Sequence, residues 1–125
     1  MSKIVIIGAG AMGSAFALPC LDNKHDINIV GTHLEDKFID GLKKDNNLHP
    51  GLNTKIPKEI KIFKFEKIKE LLNSEVELIV LGISSKGIEW AADQLSKLYN
   101  SKNIPKLLML TKGLSIYNNH YELLV

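Results

Sequence analysis

Ile4-Val5-Ile6-Ile7 is a β-branched run that stops at glycine, and Gly8-Ala9-Gly10-Ala11-Met12-Gly13 then leads into Ser14-Ala15-Phe16-Ala17-Leu18-Pro19-Cys20 with no charge in between. Two architectures fit such a stretch: an export or membrane segment, or a buried strand, a tight turn and a helix. Lys3 is a one-residue basic flank, and the run from Ile4 to Leu21 has the length of the apolar part of a signal sequence. The three glycines at fixed spacing and Pro19 count against it. The small residues also fall in the middle of the run, and Leu18-Pro19-Cys20 makes a poor cleavage site. The stretch is therefore read as a strand buried on both faces, a turn and a helix, with no membrane span.

The remaining chain alternates in the same way. Ala11 to about Asn23 has helical patterning with Met12, Ala15 and Phe16 on one side, and Pro19 is expected to kink or shorten its last turns. Asp26 to Val30 is a second strand. Leu34 to Lys44 is an amphipathic helix carrying Phe38, Ile39 and Leu42. Asp45 to Pro57, rich in Asn, Gly and Pro, reads as an irregular loop. Ile60 to Phe63 is a third strand and Glu66 to Asn73 a short helix. Val76 to Ile83 is a second strongly buried strand. Ser85 to Tyr99 is a helix with Ile88, Ala91, Ala92, Leu95 and Leu98 on its apolar face. Lys106 to Leu110 is a fifth strand, followed by Thr111-Lys112-Gly113-Leu114. Alternating β and α segments whose strands are too apolar to face water predict an α/β fold, a Rossmann-type doubly wound parallel sheet of order 3-2-1-4-5. Ligands then sit at the carboxyl ends of strands one and four, near Gly8 and Ser84.

Gly8 to Gly13 is a G-x-G-x-x-G in the strand–turn–helix context that gives the pattern meaning. Gly8 permits the tight turn, Gly10 lets the backbone approach a pyrophosphate, and Gly13 lets helix and strand pack closely. The free N–H groups and dipole at the helix start favour an anion. About twenty positions on, a residue sensing the adenosine ribose is expected. The segment Val30-Gly31-Thr32-His33-Leu34-Glu35 offers neither an acid nor an arginine at the strand end. Thr32 and His33 could donate to a hydroxyl or a phosphate, so the choice between NAD and NADP stays open; the plainer reading of His33 is a solvated loop residue. A net charge of +2 without a basic block gives no nucleic-acid footprint. Cys20, the single cysteine, cannot form an internal disulfide, and a reducing cytoplasm is the expected compartment. His25, His33, His49 and His120 lack metal-ligand spacing, and no metal is expected.

Asn47-Leu48-His49-Pro50-Gly51-Leu52 with Lys55-Ile56-Pro57, Leu81-Gly82-Ile83-Ser84-Ser85 and Leu110-Thr111-Lys112-Gly113-Leu114, taken with the glycine turn, resemble the NAD(P)-dependent glycerol-3-phosphate dehydrogenases over essentially the whole chain. The resemblance looks closest to the archaeal-type branch. It implies hydride transfer between NAD(P)H and dihydroxyacetone phosphate to give sn-glycerol 3-phosphate, feeding phospholipid biosynthesis. Ala11 and Met12 match the pair that touches the cofactor phosphates and ribose, and Thr32 and His33 match the adenosine-ribose positions, where the family often has Arg. Ser85 matches a frequent serine, and Ser84 replaces a common proline. Lys112 matches a lysine that contacts substrate near the nicotinamide. That position also suits a cation at the carboxyl end of a central strand.

Family members continue past this length into a helical domain holding the main catalytic lysine in a Lys-Asn pair. Lys102-Asn103 lies instead in the loop before strand five. Residues 1–125 are therefore expected to be the N-terminal dinucleotide-binding domain, with no catalytic residue of their own, inactive alone and part of a homodimer when complete. Two alternatives remain. A ketopantoate reductase would normally show Asn-Gly where Lys112-Gly113 stands. A nucleotide-sensing module would usually end strand two with an acid.

Overall fold

The computed structural model describes residues 2–73, 75–83, 87–99 and 105–110, together with the backbone of Leu114–Tyr117 and His120–Leu123. A parallel sheet is built from β1 (Lys3–Ile7), β2 (Asp26–Val30), β5 (Lys61–Phe63), β6 (Val76–Leu81) and β7 (Lys106–Met109) in the order β5-β2-β1-β6-β7. Numbered along the chain within this sheet, the strands lie third, second, first, fourth, fifth. The chain reverses direction across the sheet beside β1, at the junction with β6.

β1 is central, paired with β2 through Ile7↔Val30 and with β6 through Ile7↔Leu81. Its side chains alternate between two cores, which explains why no polar residue interrupts it. Val5 and Ile7 join Val30, Ile79, Leu81 and the helix residues Ala91 and Leu95 on one face. Ile4 and Ile6 join Ala17, Ile27, Ile29, Ile39 and Leu42 on the other.

Helices α1 (Ala11–Asp22), α2 (Asp36–Lys44) and α4 (Ile88–Leu98) cover the faces, while a 3-10 turn (Phe65–Lys67) and α3 (Ile68–Leu71) fill the connection between β5 and β6. Several sequence expectations are corrected. α1 runs through Pro19 to Asp22, because a proline so close to the end removes only one late hydrogen bond. Its buried residues are Gly13, Ser14 and Ala17, and Met12 and Ala15 face outward. The backbone rests so close to the sheet that small side chains, not large ones, make the contact. Asp45–Pro57 is not wholly irregular: β3 (Leu48–His49) and β4 (Thr54–Lys55) form a short antiparallel hairpin. Asn46, Asn47 and Asn53 take the left-handed backbone that the tight turns require, a conformation Asn tolerates well. Ser85 and Lys86, the expected start of this helix, lie outside the described residues; within α4, Ala92 is exposed while Ala91 and Leu95 are buried. A further antiparallel pair, β8 (Leu114–Tyr117) with β9 (His120–Leu123), was not foreseen from the sequence.

Candidate functional site

The three central strands each run out into a glycine. Gly8 N–H donates to Val30 O at 2.8 Å, Gly31 N–H to Phe63 O at 2.9 Å and Gly82 N–H to Ile7 O at 2.9 Å. Gly8, Gly31 and Gly82 thus form a row at the carboxyl edge of the sheet. Gly8 adopts φ +111°, outside the range of ordinary L residues, and a Cβ there would lie 2.4 Å from Gly82 O. A Cβ on Gly13 would lie 2.6 Å from Gly8 O, and one on Gly82 would lie 2.8 Å from Gly13 Cα. The ends of β1 and β6 and the start of α1 therefore touch backbone to backbone. Gly8 and Gly13 carry the roles assigned to them from the sequence. Gly82 completes the contact, and its signal was present in the repeated endings Ile-Ile-Gly, Ile-Val-Gly and Val-Leu-Gly.

Gly10 is different. A Cβ placed on it would meet nothing within 4 Å, so no packing within the described residues demands a glycine. It precedes α1 in extended conformation (φ −69°, ψ −178°), no side chain caps the helix, and no acid occupies its first turn. The first amides of a helix lack intrahelical acceptors. At α1 the space beside Gly10 is open, no side chain caps the helix start, and the helix dipole adds its positive end there. A pyrophosphate fits this cradle: it would accept from the uncapped amides and approach where Gly10 has no side chain.

Three side chains from separate elements fix the peptide groups of Ala9 in the middle of the turn. Glu35 Oε1 accepts from Ala9 N–H at 3.2 Å and from Thr32 N–H at 2.8 Å. Ser14 Oγ donates to Ala9 O at 3.2 Å. His49, 2% exposed, lies with its Nε2 2.9 Å from Ala9 O. Its Nδ1 accepts from Gly51 N–H at 3.1 Å, so the proton belongs on Nε2, which donates to Ala9 O. Phe38 packs edge-on against the same imidazole at 5.2 Å. His49, inside the stretch read from the sequence as an irregular loop, is therefore a strut of the glycine turn. The turn's shape is set before any ligand arrives.

Among the other expected site residues, Ala11 and Met12 are exposed at the mouth of the cradle. Thr32 follows β2, and its Oγ1 accepts from Leu34 N–H at 3.3 Å. His33 is not simply solvated: its exposed ring lies over Trp90 (5.0 Å, 38°) and edge-on to Phe65 (6.2 Å, 70°). Trp90 thus joins the loop after β2 to α4. The reading that no acid serves the end of β2 is corrected by Glu35, whose carboxylate folds back onto it from five residues downstream. Ser84, Ser85 and Lys112 lie outside the described residues. No helix among the described residues is long and apolar enough to cross a membrane.

The parallel sheet with its reversal beside β1, the backbone contact of Gly8, Gly13 and Gly82, and the open uncapped start of α1 define a Rossmann-type dinucleotide-binding domain. Residues 3–124 match the family described as NAD-dependent glycerol-3-phosphate dehydrogenase N-terminus, and the chain belongs to that family. It is 28% identical over 116 residues to the NADP(+)-dependent glycerol-3-phosphate dehydrogenase of Archaeoglobus fulgidus, covering 93% of this chain and 33% of the relative. It is 32% identical over 115 residues to the glycerol-3-phosphate dehydrogenase [NAD(P)+] of Shouchella clausii, covering 91% and 32%. Archaeal and bacterial relatives match about equally, so the expectation of an archaeal branch widens to the family as a whole. The crystal structure of glycerol-3-phosphate dehydrogenase from Coxiella burnetii has the same fold, with a TM-score of 0.72 at 21% identity over 91% of this chain and 33% of that one. The chain spans about a third of the length of these relatives.

Proposed function

We propose that this chain is the dinucleotide-binding part, residues 1–125, of an enzyme that transfers hydride between NAD(P)H and dihydroxyacetone phosphate to give sn-glycerol 3-phosphate. The observation that carries the reading is Gly10, whose missing side chain opens space in front of uncapped helix amides. The nicotinamide ring, when bound, supplies the hydride. Gly8 and Gly13 shape the turn, while the amides of Gly10, Ala11 and Met12 hold the pyrophosphate. Thr32 and His33 face the adenosine ribose. Ser84 and Ser85 complete the cofactor site after β6, and Lys112 holds the substrate phosphate or polarises its carbonyl near the nicotinamide. The catalytic lysine and most of the substrate pocket belong to a helical second domain, in keeping with the share of its relatives that the chain spans. The complete enzyme works as a homodimer in the cytoplasm and supplies phospholipid biosynthesis.

Calorimetric titration of the purified chain with NADH, paired with an assay of NADH oxidation in the presence of dihydroxyacetone phosphate, tests this. Binding without turnover is expected. Turnover by the 125-residue chain, or no binding, overturns the proposal.

A further inference from the structure

We propose that Glu35 is the acceptor for the adenosine ribose and that it makes the site selective for NAD(H) over NADP(H). The inference rests on the reading of the cradle as a dinucleotide site and goes beyond it, because that reading leaves the two cofactors equal.

In this fold the acid that reads the ribose stands at the end of the second strand. Here that place is held by a glycine, which has no side chain to offer. Gly31 directly follows β2, and a Cβ on it would lie 2.3 Å from Cδ1 of the fully buried Ile39. A side chain at the strand end would have to push aside the tip of the Ile39 side chain. The loop supplies the carboxylate instead. Oε1 of Glu35 bridges Thr32 N–H, at the end of β2, and Ala9 N–H, in the glycine turn after β1. The two bonds span the edge between neighbouring strands, where the adenosine half of a dinucleotide passes from the cradle towards β2. The other oxygen, Oε2, takes no hydrogen bond from any described residue. An ionised carboxylate held by one oxygen keeps lone pairs on both for further donors. The vicinal hydroxyls of a ribose are donors of that kind.

A 2′-phosphate would bring about two negative charges against the same carboxylate. Among the described residues no cation is paired with this carboxylate to offset them. The chain contains no arginine. Lys64, the lysine next to the end of β5, is already paired with Asp40 at 2.8 Å. His33 is stacked on Trp90 and Phe65. Lys37, the second residue of α2, is exposed and takes no part in holding Glu35. The balance at this corner favours hydroxyls over phosphate.

Trp90 is the single tryptophan, and its indole lies 5.0 Å from the His33 ring, so its fluorescence reports directly on this corner. Titrating the intact chain with NAD+, NADP+ and 2′-deoxyadenosine NAD+ tests the inference. Wild type is expected to bind NAD+ at least tenfold more tightly than NADP+, and at least fivefold more tightly than the 2′-deoxy analogue. Glu35→Gln is expected to narrow the NAD+ to NADP+ ratio at least fivefold, while Asp36→Asn, which alters the adjacent charge, leaves it unchanged. Equal binding of NAD+ and NADP+, or tighter NADP+, in wild type overturns the inference, as does an unaltered ratio in folded Glu35→Gln. The 2′-deoxy comparison uses wild type alone and decides the matter even if Glu35→Gln does not fold: no loss of affinity overturns it. Failure to bind any dinucleotide would overturn the proposed function as well, which distinguishes the two.

Discussion

Replacing Gly10 by alanine separates what the glycine turn needs for folding from what it needs for binding. The residue holds φ −69° and ψ −178°, a conformation alanine adopts without strain, and an added Cβ would touch nothing within 4 Å. Restricting the unfolded chain should stabilise the protein by ~0.4–1 kcal/mol. Alanine is a poorer residue than glycine just before a helix, which costs roughly 0.5 kcal/mol. The two terms nearly cancel. Urea denaturation of Gly10→Ala should therefore give a stability within about 0.5 kcal/mol of wild type, a melting shift of roughly 3 °C or less. The Cβ nevertheless stands in the space a pyrophosphate would enter. Affinity for NADH should fall at least about tenfold, or ~1.4 kcal/mol, by calorimetry. A variant that loses more than about 1 kcal/mol of stability, or one that binds NADH as wild type does, would refute the division of labour between Gly10 and its neighbours.

Gly13→Ala should behave in the opposite way, since its Cβ would lie 2.6 Å from Gly8 O. Overlap with rigid backbone outweighs a helix-propensity gain of ~1 kcal/mol, leaving a loss of about 1–2 kcal/mol by urea denaturation. Asn28 is 3% exposed within β2, and its amide Nδ2 has no hydrogen-bond partner among the described residues. Asn28→Val should raise stability by about 1–2 kcal/mol, and a loss would mean that the amide is satisfied in solution. Burial raises the Cys20 thiol above its ordinary value. Less thiolate is then present at neutral pH, so iodoacetamide should alkylate Cys20 more slowly than an unstructured cysteine; denaturation should abolish the difference.

The strands of the parallel sheet and the glycine turn were legible because their causes are local. A strand buried on both faces must be continuously apolar, and a tight turn beside a helix start must use glycine. Glu35 and His49 were illegible for the complementary reason. Glu35 lies beyond the strand end where an acid is ordinarily sought, and only the folded loop carries its carboxylate back to Thr32 and Ala9. His49 lies in a polar, Asn-rich stretch. Its burial depends on a hairpin whose turns use left-handed asparagines, and periodicity cannot register such turns. α1 misled for a third reason. A helix apolar all round has no preferred side in sequence, and close approach to the sheet selected Gly13, Ser14 and Ala17 over the larger residues.

The central claim is that the turn between β1 and α1 holds the dinucleotide pyrophosphate. An NMR titration of the isotopically labelled chain with NADH addresses it amide by amide. The largest shifts are predicted at Gly10, Ala11, Met12 and Gly13, with smaller ones at Ala9 and Thr32. Shifts centred on another part of the chain, or none at saturating NADH, would contradict it.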